Sequence, residues 1–295
     1  MKSFVGLLSL IALNLIPFSF PAAQPAAITA GVLAGFSLTD TVPAPEPPLL
    51  YNPAAQQEKS LSGEALFNYL RAVTAPEPRR TSSVSYRASK AYMYSTADNT
   101  GCSGAPGILT FYSQVCVKGA SDNGNDYGER GDLNDDGVVD SFVNAEHIWP
   151  QGYFKSALPM VADLHHLAST FVTPNGRRGN LKFAEVSRPS YSTSAGSMLG
   201  REGFEPADAV KGNVARALFY FIVRYGDKNI RQGMDYASFW INNVPMFLEW
   251  NRQDPPDDNE RRRNDLVEDF QGNRNPFIDN PALGENIGEM VLKSH

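Results

Sequence analysis

The segment PADAVKGNVARALFYFIVRYGD, residues 206–227, constrains the fold more than any other part of the chain. Val210, Val214, Ala217, Leu218, Phe221 and Tyr225 recur at helical spacing, and Gly226 marks a stop. The pattern predicts a helix buried in a core, not a ligand-binding face. Such a helix must be covered by other elements. In LSGEALFNYLRAVTA, Leu61, Ala65, Leu66, Leu70 and Val73 fall mainly on one helical face, ahead of Pro76. A further helix is expected over about 244–252 with Pro245 in its first turn, and another over about 258–270, where Asp257 caps and Glu260 supports the start. SVSYRASKAYMYSTAD and GILTFYSQVCV, rich in Tyr, Val and Phe, read as strands. SRPSYSTSAGSMLGREGFEP reads as irregular, and QGNRNPFIDNPAL as turn-like, packing Phe277 and Ile278. The expected class is α+β, mainly helical, with a small sheet and long loops.

The N-terminal end reads as an address. Lys2 precedes an almost wholly apolar run, residues 4–20, and small residues follow at Ala22 and Ala23. The run is shorter than the ~20 residues a spanning helix needs, and Pro17 interrupts it, so a signal peptide over 1–23 is expected rather than a membrane anchor. Residues 24–58, rich in Ala and Pro, read as a linker or pro-segment, and 59–290 as one folded domain. The mature chain is expected outside the cytoplasm, extracellular or periplasmic, without membrane association and as a monomer. The chain holds two cysteines, Cys102 and Cys116. In a secreted protein such a pair is expected as a disulfide, and no zinc pattern surrounds them.

Residues 122–140, DNGNDYGERGDLNDDGVVD, are acidic and rich in Gly. Asp132, Asn134, Asp136 and Gly137 match the opening of an EF-hand loop, and Asp140 falls at its ninth position. Val143 stands where the bidentate Glu belongs. Oxygen ligands at alternate positions around a sharp turn suit a structural Ca²⁺. A solvated Asp/Asn/Gly loop is the plainer reading.

The chemistry concentrates in residues 144–180, which hold three of the four histidines. A short strand is expected to lead into Glu146 and His147. Adjacent strand residues point to opposite faces, so both reach one site only if the strand ends there, as Pro150 allows. Glu146 suits a hard divalent cation. His147 suits a general base, since the ordinary imidazole pKa lies near working pH. Asp163-Leu164-His165-His166-Leu167 reads as a second strand, with Asp163 and His165 on one face and Asp163 accepting from a ring N–H. Residues 171–178 turn into a helix carrying Asn175. A carboxylate and an amide oxygen leave most coordination positions open to water and phosphate, which is how Mg²⁺ is commonly held. HExxH is absent, so a zinc-protease reading has no motif behind it. On residue chemistry alone a buried structural histidine and a metal-assisted hydrolase both stand.

AEHIWPQGYF, DLHHL and NGRRGN resemble, in order and spacing, the endonuclease I family of non-specific secreted or periplasmic nucleases. The resemblance continues through GFEPADAVKGNVARALFYFIVRYG, FLEWNRQDPPDDNERRRNDL and QGNRNPFID, covering roughly 60–281. It implies a ββα-metal core, a short hairpin plus a helix, set in a mainly helical domain. It implies His147 as general base, Glu146 and Asn175 as ligands of one catalytic Mg²⁺ or Mn²⁺, and Asp163 and His165 as support. Arg178 is implied in phosphate contact or helix anchoring. The substrates implied are DNA and RNA, cut to leave 5′-phosphates. Some relatives carry an arginine in the loop after the catalytic histidine, where this chain offers only Lys155. A net charge of −6 then requires local cations such as Arg177, Arg178 and Arg201, or the metal, to offset the charge of the substrate. The rival readings are a Ca²⁺-stabilised extracellular binding domain without catalysis and a phosphoesterase for small esters.

Overall fold

The buried helix expected from the 206–227 pattern is the axis around which the other elements pack. A computed structural model describes residues 60–75, 84–102, 107–117 and 143–295, all within the contact unit Asn52–His295. The expected signal and linker segments, 1–23 and 24–58, and the Ca²⁺ candidates Asp132, Asn134, Asp136 and Asp140 lie outside the described residues. In chain order come α1 (Gly63–Val73), α2 (Tyr86–Tyr92), β1 (Ile108–Leu109), β2 (Cys116–Val117), β3 (Val143–His147), β4 (Leu167–Phe171) and α3 (Val172–Arg178). There follow β5 (Tyr191–Ser192), β6 (Met198–Leu199), β7 (Phe204–Glu205), α4 (Lys211–Tyr225), α5 (Tyr236–Phe239) and α6 (Val244–Gln253). The chain closes with α7 (Asp258–Gln271), α8 (Pro276–Asp279), α9 (Leu283–Ile287) and α10 (Glu289–Ser294). The class is α+β, mostly helical, with small antiparallel sheets.

Every residue of α4 is buried except Asn213 and Arg224. The apolar stripe is therefore only the most regular part of a helix covered on all sides. Trp149, Trp240 and Trp250, all fully buried, stand in the cluster around it. A second cluster, including Met93, Ile108, Val117, Val143, Leu164, Leu167, Phe171 and Val267, lies under the β3–β4 hairpin.

Helices α6 and α7 start and stop close to the expected positions. Asp257 caps α7 by accepting from Glu260 N at 2.7 Å. The side chain of Glu260 turns inward to Arg216 instead of capping. Cys102 and Cys116 form a disulfide with Cα atoms 5.7 Å apart. A Cβ at Gly107 would sit 2.7 Å from Val117 O and 3.0 Å from Cys102 Sγ, so the bridge and the β1–β2 pair close over a residue without a side chain.

Five expectations need correction. The segment SVSYRASKAYMYSTAD is helical: α2 runs into a π-turn over Met93–Ala97. Ser85 Oγ accepts from Ala88 N at 3.2 Å, and Ser89, Met93, Tyr94 and Ala97 are buried at helical spacing. In α1, Ala65 and Val73 are exposed, and Phe67 takes the core place. Asp163–Leu167 is not a strand. Asp163 Oδ1 accepts from His165 N at 3.0 Å and closes a 3₁₀ turn over Leu164–His166, so β4 begins only at Leu167. The segment read as irregular carries the three-stranded sheet β5-β6-β7, and the tail forms the short helices α8 to α10.

Candidate active site

Strands β3 and β4 pair antiparallel with His147 opposite Leu167 and Asn144 opposite Thr170. Helix α3 follows β4 directly. The hairpin is extended by Ile148 N donating to His166 O at 3.0 Å. Trp149 then anchors the exit, stacked on Phe221 with centroids 5.1 Å apart and donating from Nε1 to Ile230 O at 2.9 Å.

Alternation along β3 divides the site into two sides. Asn144 and Glu146 share the face under α3. Asn175 Nδ2 donates to Asn144 Oδ1 at 2.7 Å and to Ala145 O at 3.3 Å, which turns its own Oδ1 away from those partners. Glu146 is 1% exposed. Its Oε1 accepts from Tyr112 OH at 2.9 Å and pairs with Arg178 Nη1 at 2.8 Å. Burial raises its carboxyl to about 7, against the opposing pull of Arg178 and Tyr112. Glu146 and Asn175 thus bring a carboxylate and an amide oxygen to this side of β3. They form a sparse, hard oxygen pair that fits a cation which keeps its waters. No group of three or more His, Cys, Asp or Glu suited to a metal occurs among the described residues.

His147 leaves the other face, at the end of the strand. Its ring packs against Tyr86 of α2 with centroids 5.4 Å apart and against His166 at 5.5 Å. Nε2 lies 3.1 Å from Val161 O. A carbonyl only accepts, so Nε2 carries the proton and Nδ1 keeps the lone pair. Burial depresses its pKa to about 3, helped by the neighbouring His166 and the charges of Arg178 and Lys90.

The supporting residues sit behind this side. Asp163 accepts from His165 N, from Gln271 Nε2 at 2.8 Å, and from the hydroxyls of Tyr220 at 2.8 Å and Tyr225 at 2.7 Å. It takes no ring N–H, contrary to expectation. Burial pushes its carboxyl up, but His165, His166 and these donors outweigh that and hold it below the usual range. His165 Nε2 meets Asn273 O at 2.8 Å, and His166 Nε2 meets Met160 O at 2.6 Å. The 3₁₀ turn sends these adjacent rings to different partners. Burial lowers both to about 4.

Arg178 is 1% exposed and anchors rather than reaches outward. Nη1 donates to His147 O at 2.9 Å and Nη2 to Ile148 O at 2.6 Å, while the guanidinium lies 4.5 Å from the Phe183 ring. Of the two roles expected for it, helix anchoring is the one this geometry fits. Arg177 and Arg201 are exposed, with Arg177 over the ring of Tyr191 at 5.5 Å. Lys155 is also exposed. The sequence reading missed Tyr112 and the Val161 carbonyl, which no motif marks. It also missed Asn144, whose place two residues before Glu146 on a strand was a usable signal.

The family described as Endonuclease I matches residues 66–282. An extracellular ribonuclease of Bacillus amyloliquefaciens is 40% identical over 155 residues, which are 49% of this chain and 53% of that protein. An extracellular deoxyribonuclease of Aeromonas hydrophila is 30% identical over 124 residues, 41% of this chain and 50% of that one. An endonuclease-1 of Buchnera aphidicola is 24% identical over 163 residues, 51% and 62% of the two chains. The chain spans about half the length of the first of these curated relatives.

Proposed function

This chain belongs to the endonuclease I family, and from that premise we propose that it is a nuclease acting outside the cytoplasm. It hydrolyses phosphodiester bonds of DNA and RNA and leaves 5′-phosphate ends. Relatives named as ribonucleases and as deoxyribonucleases support both substrates. The hairpin and α3 are read as the family's ββα-metal core.

The observation that carries the reading is the state of His147. Its Nε2 is committed to Val161 O and its ring is neutral at pH 7, so Nδ1 is free to take a proton from water. The negative charge of an arriving phosphate works against burial and strengthens that base. Glu146 and Asn175 would hold the catalytic divalent ion, through a carboxylate and an amide oxygen. Mg²⁺ or Mn²⁺, when bound, supplies positive charge to the phosphate and the leaving oxygen. Arg178 fixes the carboxylate and the two carbonyls at the strand exit, so the base and the ligand keep their spacing.

Plasmid DNA and RNA should be degraded in Mg²⁺ and spared in chelator. His147→Ala should lose about 10²–10⁴-fold in rate. A variant within tenfold of wild type would remove the general-base role. Ca²⁺ at Asp132, Asn134, Asp136 and Asp140 is proposed on the sequence pattern. The melting temperature should be higher in Ca²⁺ than in chelator and lose that difference in Asp132→Ala. An equal melting temperature in both would leave a solvated loop.

A further inference from the structure

The cut phosphate carries negative charge that a sparse ligand pair does not offset alone, and Arg178 is already committed to Glu146 and two carbonyls. A second cation approaches His147 from a separate helix, through the ring of Tyr86. Lys155, in the loop after His147, is exposed.

Lys90 comes from α2, outside the hairpin and α3. Its Nζ lies 5.2 Å from the Tyr86 ring centroid, and that ring is 5.4 Å from the ring of His147. Helix α2 packs against the turn Met160–Ala162, whose Val161 carbonyl holds His147 Nε2. The sequence of α2, YRASKAY, has no acidic residue, and no carboxylate pairs with Lys90 among the described residues. Lys90 is half-buried. An ammonium carries three donors, more than one ring face can occupy, so it can still meet an arriving anion. Its flexible four-carbon stem lets the charge follow that anion.

We propose that Lys90 contacts the phosphate being cut, as a catalytic cation contributed by α2. The proposal rests on the nuclease reading above. Lys90 supplies the positive charge on the His147 side of the site, while Glu146 and Asn175 serve the opposite side.

The test separates the chemical step from strand binding. Single-turnover cleavage of a labelled oligonucleotide duplex at saturating enzyme in Mg²⁺ reports the step. Anisotropy of the same duplex in chelator reports binding. Lys90→Met keeps the stem on Tyr86 and removes the charge, and Lys90→Arg keeps the charge. Lys90→Met should lower the single-turnover rate about 10²-fold, on the scale of one lost transition-state donor. Its binding should stay within threefold and its melting temperature should be unchanged. Lys90→Arg should recover at least tenfold of the lost rate, and Lys155→Met should match wild type. A Lys90→Met rate within threefold of wild type overturns the proposal, as does equal loss in the Met and Arg variants. A wild-type protein that binds but does not cut overturns the nuclease reading and the proposal with it.

Discussion

Arg178 and Asp163 show how burial reassigns a residue whose type suggests another task. An arginine beside a proposed phosphate-cleaving site suggests contact with substrate, yet this guanidinium is 1% exposed and fastens α3 to the exit of β3. Asp163 likewise does not orient a ring. Its two oxygens each receive two donors, one pair from His165 N and Gln271 and the other from Tyr220 and Tyr225. That arrangement closes the 3₁₀ turn and so directs His166 against His147. Asp163→Asn removes the charge and sets an amide N–H₂ against groups that themselves donate. The expected cost is about 2–4 kcal/mol in urea unfolding. A cost below about 0.5 kcal/mol would mean that the donors find other acceptors and that the carboxylate is not what holds the turn.

At the scale of elements, α4, α6 and α7 meet at one polar knot inside an apolar core. Arg216 of α4 pairs with both oxygens of Glu260 of α7, at 2.8 and 2.5 Å, and donates to Asp254 O at 2.7 Å where α6 ends. Gly212 N donates to Asp254 Oδ2 at 2.8 Å. A Cβ at Gly212 would sit 1.9 Å from Asp254 O and 2.6 Å from Arg216 Nη1. Alanine raises helix propensity by ~1 kcal/mol over glycine, but here it drives into a backbone carbonyl. The clash should win, and Gly212→Ala should lose about 2 kcal/mol or more by urea unfolding. A neutral or stabilising result would show that the α6 end moves aside. The helices themselves were legible because Val214, Leu218 and Phe221 repeat on α4 and Asp257 caps α7. Helix α2 was not, because the Tyr and Val residues of its segment suit a strand. What decides it is the Ser85 cap and the burial of Met93 and Ala97 beneath the hairpin, which local composition does not carry.

Across the whole molecule, order along the chain made the site legible and distance along it hid the rest. Glu146, His147, Asp163, His165, Asn175 and Arg178 lie within one stretch, whereas Tyr112, Lys90, Tyr220, Gln271 and Asn273 reach it from far away in sequence. The result is an acidic protein with three of its histidines buried together. That burial dictates how stability responds to acid. His147 is lowered to about 3, and His165 and His166 to about 4, so all three are neutral in the folded chain at pH 5. Unfolded, they bind protons below about 6.5. Glu146 acts in the opposite sense, because at about 7 it holds a proton when folded that the unfolded chain releases above about 4.5. Three protons favouring the unfolded state against one favouring the folded state leave about two. Stability should therefore rise with pH from about 4 to 6.5, at a slope of at most about 3 kcal/mol per unit, and level off above. Asp163, held below the usual carboxylate range, adds a loss of the same sign at lower pH. Urea unfolding in chelator across this window measures the slope. His166→Phe, which keeps a ring against Phe221, should reduce it by about one proton. Stability that is flat or falls as pH rises through the window would mean that the histidines are not held neutral, and the neutral base on which the proposed cleavage depends would go with them.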